Sequence, residues 1–424
     1  MMINETVILL CQLEDYSDHI LSKHIYAYLR ITTSFDLYFF KPLQRIFSKV
    51  IPYDFVKRIT EIGLTAVNKE ILDLVREERP KYVLWIPAYH EFQESTFDII
   101  RKEGTMVIGW FGDDDWHFDE YSKWWAPYLD YCVTNAIEAV PKYKELGARV
   151  IQAIPCTGVS INRDLSKTKE KYDISFVGSR TPYREQNINE LKNRNLPIHV
   201  FGRGWGGNRC VSFEEMVNIF NCSKINLNFS RAPGNKLQLK GRIFEVCLAG
   251  GFLLTEYVPE IEKYFDIGKE IVCFRNTEEM INKIIYYLVH NEERQAIARA
   301  GWKRAASEHT SFHMVSKVFD EIEKDSREGE KSSPKQLKMP MRIRRKVSRY
   351  YFNWGVAFLS ENYNRLWTDA LTLSIRYYPF DVLAWYHYIS GFLPFFMRTA
   401  LIKPYIAAVK LRRALLVKLG FMSY

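Results

Sequence analysis

KGRIFEVCLAGGFLLTEY, Lys240 to Tyr257, is the stretch on which the fold turns. GRIFEVCLAGG carries apolar residues at helical spacing, and FLLTEY reads as a short buried strand. KINLNFS, just upstream, reads as another strand. Strand, helix and strand in that order build a parallel α/β sheet. Ligands of such sheets bind beyond the carboxyl ends of the strands. A helix that starts there offers unpaired N–H groups to a phosphate. Lys240 and Arg242 add full positive charges at that end. Gly241 lets the backbone approach an oxyanion, and Glu245, one turn in, can accept two hydrogen bonds from a ribose diol. Diphosphate plus ribose describes a nucleotide sugar. The same residues also fit an amphipathic helix with ordinary surface charges.

Around this stretch lies a full α/β cycle. YDISFVGS, LPIHVFGRGW and EIVCFR read as strands; REQNINELKNR, TEEMINKIIYYLVHN and NEERQAIARAGWKRAASEH read as helices. SFEEMVNIFNCS opens on Ser212 with Glu215 three residues on, a capping box. An earlier cycle precedes it. Its strands are TVILLCQL, KYVLWIPAY, TMVIGWFGDDD and YCVTNA, and its helices include DHILSKHIYAYL and NKEILDLVREER. Two cycles of about 160 residues predict two Rossmann-like domains with a cleft between them. The expected division is 1–165, 166–325, a Pro-containing polar linker at 326–340, and a basic, aromatic helical tail at 341–424.

The charge is concentrated in that tail. Residues 341–424 hold 13 Lys+Arg against 3 Asp+Glu, so of the chain's net +9 the first 340 residues carry about −1. A neutral body argues against a nucleic-acid binder built around a basic groove. The tail, with Trp, Phe and Leu on one side and Lys/Arg on the other, suits an anionic membrane surface. It equally suits packing on the body or on a second copy of the chain. No run is long and apolar enough to span a bilayer, and the first residues lack a signal-peptide pattern. The seven cysteines are scattered without a CxxC, as expected of reduced thiols in the cytoplasm rather than a zinc site.

FVGSRTPYRE, VFGRGW, SKINLNFS, KGRIFEVCLAGGFLLTEY, PEIEKYFDIGKEIVCFR and EERQAIARAGWKRAASEHT together resemble the C-terminal domain of GT-B glycosyltransferases of the spore-maturation CgeB-like branch. GWFGDDDWHF and LGARVIQAIPCTGV are similar to the same branch more loosely, so the likeness covers about 320 residues. It implies two Rossmann-like domains, with the acceptor on the side of 1–165 and the nucleotide sugar on 166–325. It implies that Glu245 binds the donor ribose and that Arg180 and Arg184, after Gly178, contact the diphosphate. Gly202, Trp205 and Val211 would lie near the base, and Thr255 and Glu256 would edge the donor pocket. There are two departures. Many retaining relatives carry a second Glu eight residues before the ribose Glu, where this chain has Leu237, and RAPGNKLQ differs from their Gly-Phe-Gly loop.

Glycosyl transfer must also neutralise the leaving diphosphate and deprotonate the acceptor hydroxyl. Lys240, Arg242 and Arg180 can serve the first need without a metal. For the second, GDDDWHFD follows a strand and should face the cleft, so Asp113 and Asp114 are candidates for base or acceptor binding. Asp113–Asp115 also fits an Asp-x-Asp metal site, or a plain turn that caps the chain. His90, in AYHEF, is a further base candidate or a satisfied loop histidine, and QLEDYS (Gln12 to Ser17) should line the cleft. The expected activity is transfer of a hexose-type sugar from a UDP- or GDP-sugar, metal-independent, to a glycan, lipid-linked or protein acceptor. A sugar-nucleotide epimerase and a non-catalytic scaffold acting through the tail are the alternatives. The expected place is the cytoplasm or the inner face of the membrane, in glycan or polysaccharide synthesis.

Overall fold

A computed structural model describes residues 3–13, 36–154, 170–206, 211–231, 235–328, 334–360 and 366–392. The helix expected in DHILSKHIYAYL, most of QLEDYS, Cys156, Cys210 and the last part of the tail, 393–424, lie outside the described residues.

The first sheet has six parallel strands: β1 (Ile3–Cys11), β2 (Phe47–Asp54), β3 (Tyr82–Trp85), β4 (Met106–Phe111), β5 (Tyr131–Thr134) and β6 (Val150–Gln152). Their order is β2-β1-β3-β4-β5-β6. Val7 to Cys11 are all fully buried, because a parallel sheet is covered by helices on both faces. The second sheet holds β7 (Tyr172–Val177), β8 (Ile198–Phe201), β9 (Ser223–Asn228), β10 (Leu253–Glu256) and β11 (Val272–Phe274). It is ordered β11-β10-β9-β7-β8, again all parallel. Strand order reverses between β7 and β9, which places a crevice at their carboxyl ends. The capping box forms as read: Ser212 Oγ accepts from Glu215 N at 3.2 Å, and Glu215 Oε2 accepts from Ser212 N at 3.1 Å.

The boundary expected after residue 325 falls inside the helix Ser311–Glu328. That helix packs on the first sheet, within a cluster that also takes in residues of the second domain. The Phe319 ring lies 4.7 Å from Phe47 and 5.2 Å from Tyr82, and Glu323 pairs with Lys81 at 2.7 Å. It straps the two sheets together.

The described part of the tail is built into the body. Helices Met341–Ser360 and Leu366–Tyr377 bury Ile343, Tyr350, Trp354, Phe358 and Leu371 in one cluster with Trp85, Phe92 and Phe97 of the first domain. The two helices touch closely at Gly355, where a Cβ would stand 2.6 Å from the Leu371 side chain. Asp369 accepts a hydrogen bond from Thr65 N at 2.8 Å, at the start of helix Leu64–Glu78, and Tyr377 donates to Glu94 at 2.7 Å. Among the described residues no helix is long and apolar enough to cross a membrane.

Candidate active site

The helix Gly241–Leu248 starts at Lys240, which is extended and lends no side-chain cap, so the first N–H groups of the helix have no capping oxygen from it. Lys240 Nζ instead reaches across to the carbonyl of Arg231 at 2.7 Å. Arg231 follows β9, the strand on one side of the switch point. Across from it, after β7, the helix Pro182–Asn193 opens on a Thr181 cap and carries Tyr183 and Arg184. These segments enclose a cavity of about 570 Å³, lined on this side by Tyr183, Arg184, Arg231, Asn235, Gln238 and Lys240. Asp113 and Trp116, after β4 of the first sheet, line the other side. The carboxyl ends of both sheets therefore face one cleft. Two bonds tie it across: Gln238 Nε2 donates to Asp115 Oδ2 and Lys236 Nζ to the Asp115 carbonyl, both at 2.8 Å.

Three cations share this wall. Arg231 is held by Glu256 at 2.8 Å and lies 4.5 Å over the Tyr183 ring. Arg184 donates to the Ser179 carbonyl at 2.8 Å, and burial, with the nearby Arg242 charge, depresses its proton affinity. Burial pushes the Lys240 ammonium down to about 8, with Arg184 adding to the shift. Positive groups crowded into a partly dry cleft pay a desolvation and repulsion cost that an anion would relieve.

Glu245 is buried on the same helix. Its Oε2 accepts from Arg242 Nη1 at 2.7 Å, and its Oε1 accepts from the Tyr38 hydroxyl of the first domain. Arg242 thus turns to Glu245 and does not line the cavity with Lys240. Arg180, placed with Arg184 in the sequence reading, is half exposed and pairs with Glu185. Thr255 is fully buried and accepts from Asn228 Nδ2 at 2.9 Å, so it lies beneath the pocket and not at its edge. Glu256, also buried, accepts from Ser230 N at 3.0 Å, Arg231 at 2.8 Å and Tyr183 at 2.8 Å. It positions two residues of the cavity wall.

Gly202, Trp205 and Val211 meet around a second cavity of about 430 Å³ with Lys171, Glu215 and Asn218. Trp205 Nε1 donates to the Gly178 carbonyl at 2.8 Å. Gly202 sits at φ +113°, and a Cβ there would stand 2.8 Å from that same carbonyl, so the two loops cross where only glycine fits. Leu237, at the position of the absent second acid, is exposed and bridges to Arg231.

The three candidates of the first domain separate. Asp113 lines the cleft. Asp114 is 2% exposed and accepts from Ser122 and, at 2.8 Å, from Tyr143; burial lifts it to about 6. It is a turn-holding residue inside the core. His90 is 1% exposed, boxed in by Tyr89, Tyr121 and Trp125, and burial pushes it down to about 3. A neutral ring sealed from the cleft cannot take a proton from an acceptor there. Glu91 beside it is spent on Trp85 Nε1 at 3.0 Å and on the amides of Ala88 and Tyr89. Sequence reasoning missed Tyr38, Trp116, Tyr183, Arg231 and Gln238. Tyr38 and Trp116 reach the site only after the two cycles fold against each other, whereas Tyr183, Arg231 and Gln238 come together from separate loops of the second.

Two facing parallel sheets with a ligand-sized cleft at their carboxyl ends define an α/β architecture of the GT-B type. Residues 180–320 match the family described as glycosyl transferase-like. The spore protein CgeB of Bacillus subtilis (strain 168) is 23% identical over 249 residues, which is 52% of this chain and 76% of that one. Among solved structures, the glycosyltransferase from Rickettsia africae ESF-5 is similar with a TM-score of 0.47 at 12% identity, over 77% of this chain and 100% of that one. HepE of Anabaena, solved in complex with UDP-glucose, gives 0.45 at 8% identity, over 76% and 100%. Over residues 180–320 the chain is therefore glycosyl transferase-like, in line with the resemblance its sequence motifs carry.

Proposed function

We propose that the chain transfers a hexose-type sugar from a nucleotide-diphosphate donor to an acceptor hydroxyl. The observation that carries this reading is the meeting of Arg184, Arg231 and Lys240 in one cavity at the β7/β9 switch point. The diphosphate takes that wall. Glu245, on the helix that Lys240 opens, accepts the ribose hydroxyls once Tyr38 yields. In the transfer step the acceptor oxygen bonds to the anomeric carbon as the bond from that carbon to the diphosphate oxygen breaks. The electron pair leaves with the diphosphate, where the three cations stabilise it. This cationic wall supports a reaction that needs no divalent metal. The acceptor proton goes to Asp113 or to a phosphate oxygen.

The test is a screen of UDP- and GDP-sugars by thermal shift, with and without magnesium. At least one should raise the melting temperature of the wild type by several degrees in the absence of metal. Arg184→Ala and Lys240→Ala should each abolish that shift. If every nucleotide sugar leaves the melting curve unmoved, the proposal fails. Product analysis of the best donor without acceptor then separates transfer from epimerisation, since only an epimerase converts the donor alone.

A further inference from the structure

We infer that the acceptor is a neutral carbohydrate whose terminal ring stacks on Trp116; this rests on the reading of the cleft as a transferase site. Trp116 is 41% exposed at the cavity mouth, on the wall opposite the three cations. A large ring left open beside a polar cleft marks a contact surface. Its orientation is fixed from behind. The indole stacks on His117 at 4.4 Å and 26°, and His117 stacks on Tyr121 at 5.4 Å and 25° and on Tyr89 at 6.0 Å and 22°. Tyr89 and Tyr121 are buried in the core. The loop below is tied to the opposite domain by the two bonds to Asp115. Trp116 is therefore a preorganised platform and not a loose surface side chain.

The neighbouring groups select the chemistry. Asp113 lines the cavity beside the indole, with Asp115 on the same loop and Glu138 close enough to act on it. This side is acidic, so a phosphate-bearing acceptor would meet like charge once the donor diphosphate has occupied the cationic wall. An indole face with an adjacent carboxylate suits a pyranose. The apolar C–H face lies on the ring and the hydroxyls donate to the carboxylate. Such stacking places an acceptor hydroxyl at Asp113, across the cavity from Lys240.

The full-length chain should be offered an array of neutral oligosaccharides, with UDP and GDP binding measured separately by calorimetry. Wild type should bind at least one neutral oligosaccharide. Trp116→Ala should weaken that binding at least tenfold, Trp116→Phe less than threefold, and Trp385→Ala, at an exposed tryptophan remote in sequence, not at all. Nucleotide affinity of Trp116→Ala should change less than twofold. The inference is overturned if wild type binds no neutral oligosaccharide, if Trp116→Ala binds as wild type does, or if it loses the nucleotide as strongly as the glycan, since the ring then serves the donor. A wild type that binds the glycan through Trp116 but neither nucleotide upholds the glycan site and removes the donor reading instead. Circular dichroism on each variant confirms that it folds.

Discussion

The hydroxyl of Tyr38 donates to Oε1 of Glu245, so the first domain engages the carboxylate that we propose holds the donor ribose. Arg242 holds the other oxygen at 2.7 Å. A ribose diol must compete with Tyr38 for Glu245. Removing the hydroxyl removes the competitor, and a hydrogen bond to a charged group is worth about 1.5–3 kcal/mol. Part of that returns as the cost of an undersatisfied carboxylate. Tyr38→Phe should bind the nucleotide about three to ten times more tightly, and Glu245→Ala at least about tenfold more weakly, corresponding to roughly 1.4 kcal/mol or more. Calorimetric titration with UDP and GDP checks both. Equal affinity for wild type and Tyr38→Phe would show that Tyr38 does not contest the site.

Lys240 gives the site a pH dependence. Burial and Arg184 hold its ammonium near 8, below the ordinary 10.5. A diphosphate restores the charge, so binding above pH 8 takes up a proton and weakens as pH rises further. Donor KM should climb about tenfold per pH unit beyond that point, until the pKa of the bound state is reached. Lys240→Arg should flatten this limb, because a guanidinium stays protonated throughout. Stability moves the other way. Between about pH 8 and 10.5 the folded form holds fewer protons than the unfolded chain, so this group makes the free protein more stable as pH rises through that window.

The sheets were legible in the sequence because buried parallel strands are continuous apolar runs, as in Val7–Cys11. β2 was not, for a physical reason. It is an edge strand with Pro52 and exposed Ser48 and Lys49, so it lacks the apolar signature of its neighbours. Lys240 and Glu245 could be read together as candidates because one precedes and the other lies on the same helix, where spacing fixes relative position. Arg231 and Trp116 could not, since they belong to loops after β9 and β4 that only the tertiary fold brings together. His90 shows the opposite error. A histidine after a strand end suggests chemistry, yet the helix Met341–Ser360, with Tyr350, covers it from a segment far along the chain.

Asp113 and Asp114 are adjacent in sequence and should behave as different kinds of residue. Asp113→Ala should leave the melting temperature within about 1 °C of wild type and lower transfer to an acceptor by about 10²-fold or more, the usual range for a general base. Asp114→Ala strands the buried hydroxyls of Tyr143 and Ser122 and should cost about 2–4 kcal/mol of stability. Thermal melts paired with transfer assays below the melting range separate the two. A large stability loss in Asp113→Ala would assign it a structural role as well.

The helices from Met341 onward should prove inseparable from the first domain. Tyr350, Trp354, Phe358 and Leu371 are buried against Trp85 and Phe92, and each such side chain contributes about 1.5–3 kcal/mol by leaving water. Several together approach the whole stability of an ordinary domain, about 5–15 kcal/mol. Deleting 341–424 should therefore yield aggregated protein, and loss of activity in that truncation would say nothing about an acceptor partner. A milder probe is Gly355→Val. Its Cβ would press on Leu371, which lies 2.6 Å from the ideal position, and overpacking of this kind costs about 1–3 kcal/mol. The variant should melt several degrees lower while keeping its nucleotide affinity, because Gly355 meets Leu371 and neither residue lines the cleft. A truncation that stays soluble and melts as wild type does would show that these helices are an appendage, and that the aromatic cluster they share with Trp85 is not needed to hold the first sheet closed.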